Sequence, residues 1–268
     1  MTAQQMKRER RPEGRVVERE LEIGASPAIV WKALTDAREL TRWFPLDARV
    51  TPGQGGEIWM SWQGLYEGGS RIDVWEPERH LRIAFPADGP APLLTDYYLE
   101  GAGGGTVLRV VTSGFGAGTD WDEMYDGVSA GWDFELRALR HYLERHLGSD
   151  RVVALVTAPY PREGREAAWQ RLTAPGGFFG PEGLAGLTEG GRLVARCPGD
   201  ADLSGRVILW RPPRMLVATV DGWNDGLFRM ELEGPNGAWL WFATWGVPEA
   251  RVRAVEGRWH DAVRDLLA

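Results

Sequence analysis

The chain has 268 residues, one cysteine and a net charge of −7. That length holds one large domain or two ordinary ones, and 43% apolar with 26% charged residues is the composition of a folded chain rather than a disordered one. The lone Cys197 excludes an internal disulfide and fits a reducing, cytoplasmic compartment; no apolar run approaches the ~18 residues of a membrane span; and with 17 basic against 24 acidic residues up to position 150, then 14 against 14, no chain-wide basic footprint for nucleic acid exists.

Met1–Gly14 is charged and poor in apolar residues, which predicts a mobile tail. With no apolar segment behind its basic residues, it does not read as a signal peptide. Arg15–Ile23 alternates apolar and charged residues and reads as a strand. Ser26-Pro27 reads as a helix start, Ser26 as the cap and Pro27 at the first helical position. A stripe of Ile29, Val30, Ala33 and Leu34 follows, and a second short helix is expected over Ala37–Trp43. Strands are expected over Glu57–Gln63, Arg71–Glu76, Leu81–Phe85, Thr95–Glu100 and Thr106–Thr112, separated by turns rich in Gly and Pro. Gly101–Gly105 reads as a hairpin turn, not a phosphate loop, because it lacks the Lys-Ser/Thr pair and lies between strands. Trp121–Leu147 carries Val128, Trp132, Leu136, Leu139 and Leu143 at the spacing of a long amphipathic helix, with Thr119 or Asp120 as its expected cap.

The order then begins again. Trp31, Leu34 and Thr35 return as Trp169, Leu172 and Thr173; Arg71–Leu81 returns as Arg206–Leu216, with Trp75 as Trp210; Leu99-Glu100-Gly101 returns as Leu232-Glu233-Gly234; Leu108, Val110 and Thr112 return as Leu240, Phe242 and Thr244; Trp132 returns as Trp259. The offset falls steadily from 138 to 127, which is what a duplicated domain gives when the second copy has lost loop residues. The predicted domains are 15–148 and 151–268. Six of the 14 tryptophans pair across the copies (Trp31/Trp169, Trp75/Trp210, Trp132/Trp259), which gives those six a structural role. The unpaired ones in the first copy are Trp43, Trp59, Trp62 and Trp121.

Several motifs of residues 15–147 carry a family resemblance: Ala28–Thr35 followed by Leu40-Thr-Arg-Trp43-Phe44; Pro52–Gly56; Trp75-Glu-Pro77-Glu-Arg79-His-Leu81; Thr112-Ser-Gly114-Phe115; and Gly131-Trp132-x3-Leu136-x2-Leu139-x2-Tyr142-Leu143. In these the chain resembles the START-like helix-grip superfamily, in the branch named for its similarity to the activator of Hsp90 ATPase. The resemblance implies an α+β protein of two tandem helix-grip domains, each a curved antiparallel sheet around a long C-terminal helix. An apolar ligand cavity between helix and sheet is part of what it implies. The second copy is degenerate: Arg258 replaces Gly131, and its Ala174–Gly191 stretch is rich in Gly and Pro.

Aromatic residues with a few polar tips suit a flat, mostly apolar ligand. Trp43, Trp62, Phe85, Tyr97, Phe115, Trp121, Tyr125 and Trp132, with Phe134, are the candidates to surround it; the competing reading is that they fill the core. The expected function is therefore non-catalytic binding of a small hydrophobic or aromatic molecule in the first domain, with no cofactor, no metal, no nucleic acid and no membrane. A protein partner, as for a chaperone-associated regulator, is the first alternative. A polyketide cyclase-like enzyme is the second, with Asp96, Tyr97 or Tyr125 as acid/base groups. His80 is expected to sit exposed in a turn, and Cys197 to be inert.

Overall fold

A computed structural model describes residues 14–62, 66–86, 92–116, 118–199, 201–232 and 237–268. The tail reading over 1–13 and most of the turn Gly234–Gly237 lie outside them. The chain divides into two compact units, Met1–Gly148 and Ser149–Ala268.

The first unit begins with β1 (Arg15–Ile23), whose buried Val17 and Ile23 alternate with exposed Glu18, Glu20 and Glu22. Helices α1 (Pro27–Thr35) and α2 (Ala37–Thr41) follow. Pro27 occupies the first turn, but Ser26 makes no side-chain cap bond. The cap that does form is Asp36, whose carboxylate accepts from the Glu39 N–H at 3.0 Å and starts α2 as α1 stops. Six strands come next: β2 (Asp47–Thr51), β3 (Glu57–Ser61), β4 (Glu67–Glu76), β5 (His80–Phe85), β6 (Leu93–Ala102) and β7 (Gly105–Phe115). The sequence pattern shows no β2 because it is a short edge strand in which only Ala48 is buried. The β6–β7 hairpin turns on Gly103 and Gly104, both at positive φ, as a two-residue loop demands. The sheet order is β1-β7-β6-β5-β4-β3-β2, all antiparallel.

A single 3-10 turn, Thr119–Trp121, leads into α3 (Asp122–Arg145). The residue at the cap position is Trp121, not Thr119 or Asp120, and it makes no cap bond. Arg19 ties β1 to α3 through Asp133 at 2.8 Å and Ser129 Oγ at 2.9 Å. At the other end of the helix Glu144 accepts from the Gly24 N–H at 3.0 Å. An antiparallel sheet carrying a long C-terminal helix is the helix-grip arrangement.

The second unit runs β8 (Arg151–Ala158), α4 (Arg165–Thr173), β9 (Arg192–Leu193), β10 (Arg196–Cys197), β11 (Ala201–Asp202), β12 (Gly205–Arg211), β13 (Met215–Val220), β14 (Gly226–Glu231), β15 (Ala238–Trp245) and α5 (Glu249–Leu267). Its main sheet has the order β8-β15-β14-β13-β12-β9, and β10 and β11 form a separate pair. In both main sheets the first strand pairs with the last, and the order then runs back along the chain.

Local contacts recur at equivalent positions. Trp31 meets Trp75 at 5.1 Å between ring centroids, and Trp169 meets Trp210 at 5.3 Å. The Thr35 hydroxyl donates to the Trp31 carbonyl at 2.7 Å, as Thr173 does to Trp169 at 2.8 Å. Leu99 N–H donates to Arg79 O at 2.9 Å, and Leu232 N–H to Arg214 O at 2.7 Å. Among the described residues, no helix is long and apolar enough to cross a membrane.

Candidate functional site

The helix-facing side of the first sheet is set by strand alternation: Ile58 and Met60, Ser70 and Ile72, Leu81, Ile83 and Phe85, Leu93, Thr95, Tyr97 and Leu99, Leu108, Val110 and Thr112. Against the C-terminal half of α3 this face is closed. The Trp132 indole N–H donates to Thr112 Oγ1 at 2.9 Å, and Thr112 lies 3.2 Å from Thr95 Oγ1. Tyr97 packs edge-on to Trp132 at 5.8 Å. Burial, reinforced by the Glu135 carboxylate, pushes the Tyr97 phenol well above its usual range, so it stays neutral. Trp43 is buried, donates to the Ala33 carbonyl at 2.9 Å and stacks on Phe44 at 4.9 Å.

The N-terminal half of α3 is different. None of its residues from Asp122 to Gly131 is buried, whereas Trp132, Leu136, Leu139 and Leu143 are. The aromatic residues at this end of the sheet are only half-buried: Trp62, Phe85, Trp121 and Tyr125. Trp121 and Tyr125 stand edge-on to buried Phe115, at 6.4 and 5.2 Å. On the other side a chain of rings runs from Phe44 to Trp62 (5.1 Å), Tyr66 (6.0 Å) and Phe85 (5.6 Å).

The eight sequence candidates therefore fall into two groups. Trp43, Tyr97, Phe115 and Trp132 are packed core residues, while Trp62, Phe85, Trp121 and Tyr125 border the half-open end. Phe134 is buried, but two residues beyond Trp132 it is turned by about 200° around the helix. Trp59 lies on the far side of the sheet, under the Arg49 guanidinium at 4.2 Å. Sequence reasoning missed Phe44, Tyr66 and Ser70. Phe44 adjoins the Trp43 motif and Tyr66 follows the expected strand Glu57–Gln63, but Ser70 shows itself only by sharing parity with Ile72.

Asp96 and Tyr97 are neighbours in sequence and face opposite sides of the sheet. Asp96 is buried on the outer side, where His80 Nε2 lies 2.6 Å from it and the Arg82 guanidinium donates to both its oxygens. Burial alone would raise the Asp96 pKa, but the hydrogen bonds from His80 and Arg82 outweigh it and hold the carboxylate below its usual range. His80 is half-buried and stacks on Tyr98 at 4.3 Å, so it is neither exposed nor in a turn. Of the three candidate acid/base groups, Asp96 lies on the outer side of the sheet, Tyr97 on the helix-facing side, and the Tyr125 hydroxyl donates to the Val16 carbonyl at 3.3 Å.

Among the described residues, the second unit packs its helix along its whole length, through Val252, Val255, Trp259, Val263 and Leu267. Phe178 and Phe179, from the Gly- and Pro-rich stretch, are buried against Trp259 (5.3 Å) and Phe228 (5.8 Å). Phe228 and Phe242 face each other across β14 and β15, as Thr95 and Thr112 do across β6 and β7, and touch Trp259 at 5.7 and 5.6 Å. The Cys197 thiol is buried there and pushed well above its usual range by burial and by nearby Asp202.

A family model described as activator of Hsp90 ATPase homolog 1-like protein matches residues 24–144, all within the first unit. Similar solved structures include the Aha1 dimer of Colwellia psychrerythraea (20% identity over 50% of this chain and 100% of that one, TM-score 0.46). CalU16 of Micromonospora echinospora is 26% identical over 52% of this chain and 71% of its own, with TM-score 0.42. DynU16, titled a putative protein in the dynemicin biosynthetic locus, is 19% identical over 94% and 97%, with TM-score 0.42. No curated protein matches.

Proposed function

We propose that the first unit binds a flat, apolar or aromatic small molecule, without catalysis, between the N-terminal half of α3 and the sheet. The second unit is then a duplicated, filled copy with a structural role. The observation that carries this reading is the half-open end itself. Trp62, Phe85, Trp121 and Tyr125 are left half-buried near a helix half with no fully buried residue, and half-buried rings with few polar tips suit an apolar ligand. The matching Trp–Trp, Thr–Trp and backbone contacts in the two units support the duplication.

Native mass spectrometry of protein purified from its own host tests the reading. A retained small molecule, lost on unfolding and absent from a Val128→Trp variant that fills the half-open end, is the expected result. Bare chain mass, together with no shift of the tryptophan indole resonances on adding naphthalene-sized aromatics, would overturn it.

The match over residues 24–144 favours one alternative, a regulator of the chaperone Hsp90. Adding the protein to its host's Hsp90 and following ATP hydrolysis separates the two. Stimulation that Val128→Trp leaves intact would assign the activity to an outer surface.

A further inference from the structure

Among the described residues, Ser70 Oγ is a buried polar atom with no hydrogen-bond partner, and Ser70 is 1% exposed. It lies on the helix-facing side of the sheet, paired with Ile58 on β3, and the β4–β5 register places Phe85 across from it. A hydroxyl sealed among apolar neighbours is destabilising unless something bonds to it, and buried hydroxyls in folded proteins are nearly always satisfied. The next position on the same face is Gly68, and the end of the Tyr66 side chain occupies the space a side chain there would need: a Cβ on Gly68 would lie 2.2 Å from the Tyr66 hydroxyl. Tyr66 is 42% exposed overall, yet its hydroxyl lies at the Gly68 position of this face, and burial raises the pKa of its phenol. Moving Tyr66 outward would free the space over Gly68, the position beside Ser70 on this face.

Resting on the ligand site proposed above, we infer that Ser70 is its polar anchor and that the ligand is an oxygenated aromatic, whose phenol or ketone oxygen bonds Ser70 Oγ once Tyr66 has swung aside. The ring system then lies on Phe85 and Trp62, and the single polar contact fixes which edge enters first.

The test compares 2-naphthol with 2-methylnaphthalene, nearly equal in shape, by nuclear magnetic resonance titration of the indole N–H signals in wild type and Ser70→Ala. The expected result is that Ser70→Ala lowers the ratio of naphthol to methylnaphthalene affinity by about 3- to 10-fold, the range of one buried hydrogen bond. Methylnaphthalene affinity should hold or improve, and the melting temperature of the ligand-free variant should stay level or rise. An unchanged ratio with both compounds binding overturns the anchor and leaves the site standing. A fall in melting temperature makes Ser70 structural and also overturns the anchor. If neither compound shifts any indole signal at saturation, the ligand site fails and the anchor with it.

Discussion

The two units share a strand order and differ in what lies between sheet and helix. In the second, α5 is buried from its first turn to its last, through Val252, Val255, Trp259, Val263 and Leu267. In the first, burial begins only at Trp132. The cross-strand pair under the helix tryptophan differs: Phe228 and Phe242 in the second unit, Thr95 and Thr112 in the first. The added rings, with Phe178 and Phe179, occupy volume that the smaller residues leave. The first unit secures its helix instead with a polar cluster at the C-terminal end. There Glu39 is buried against the Arg42 guanidinium at 2.8 Å and accepts from the Tyr142 hydroxyl, which itself accepts from the Gly148 N–H at 3.0 Å. Anchoring at one end leaves the other free to stay open, whereas a core filled along its length has no space to offer.

The strongest test of this contrast is truncation of the paired tryptophans. Trp259→Ala removes a fully buried side chain that meets three aromatic rings, and is expected to cost about 3–5 kcal/mol. Trp132→Ala should cost less despite losing its bond to Thr112, because the adjoining half-open end lets water and neighbouring side chains relax into the gap. Urea unfolding of both variants, followed by far-ultraviolet circular dichroism, gives the comparison. Equal or reversed costs would show the first interior to be as tightly filled as the second.

A smaller effect is expected at the polar cluster. Tyr142→Phe removes one buried hydrogen bond to a carboxylate and should cost about 1–3 kcal/mol. It also changes the pH dependence. Burial, then the hydrogen bond to Glu39, pushes the Tyr142 phenol up to about 12, above its ordinary value of 10.0. A group whose pKa is raised by folding contributes stability that is fully present below its unfolded pKa and is lost as pH rises through the folded one. Wild-type stability should therefore fall between about pH 10 and 12, and Tyr142→Phe should flatten that fall. Part of the slope will remain, because the Tyr97 phenol is shifted in the same direction. Unfolding midpoints measured from pH 8 to 11.5 check this.

Strand alternation and helix spacing made most of the first unit legible. Val17 and Ile23, or Trp132, Leu136 and Leu139, announce a buried face because one face meets the core and the other meets solvent. Edge strand β2 did not announce itself, because an edge strand with one buried residue has no period. The candidate site was legible as a set of aromatic residues but not as a geometry. Sequence shows that Trp43 and Trp62 are large and apolar; it does not show that one bonds a carbonyl under α1 while the other lies at an opening. Ser70 was hidden for a plainer reason. A serine in a strand signals nothing until the register shows which way it points and that no partner meets it.

The smallest effect is the one most specific to the open end. Glycine in a helix costs about 1 kcal/mol relative to alanine, because its backbone loses more freedom on folding. A Cβ at Gly127 or Gly131, both within α3, would meet nothing within 4 Å. Gly127→Ala should therefore stabilise the protein by about 0.5–1 kcal/mol, a rise of a few degrees at most in melting temperature. The counterpart is Gly205→Ala at the start of β12, where a Cβ would lie 1.7 Å from the Thr219 carbonyl oxygen and strand must move against strand. That substitution should destabilise. If Gly127→Ala also destabilised, the space beside α3 would be needed for the helix to settle at all, and a proposal built on that space being left for a ligand would have to give way.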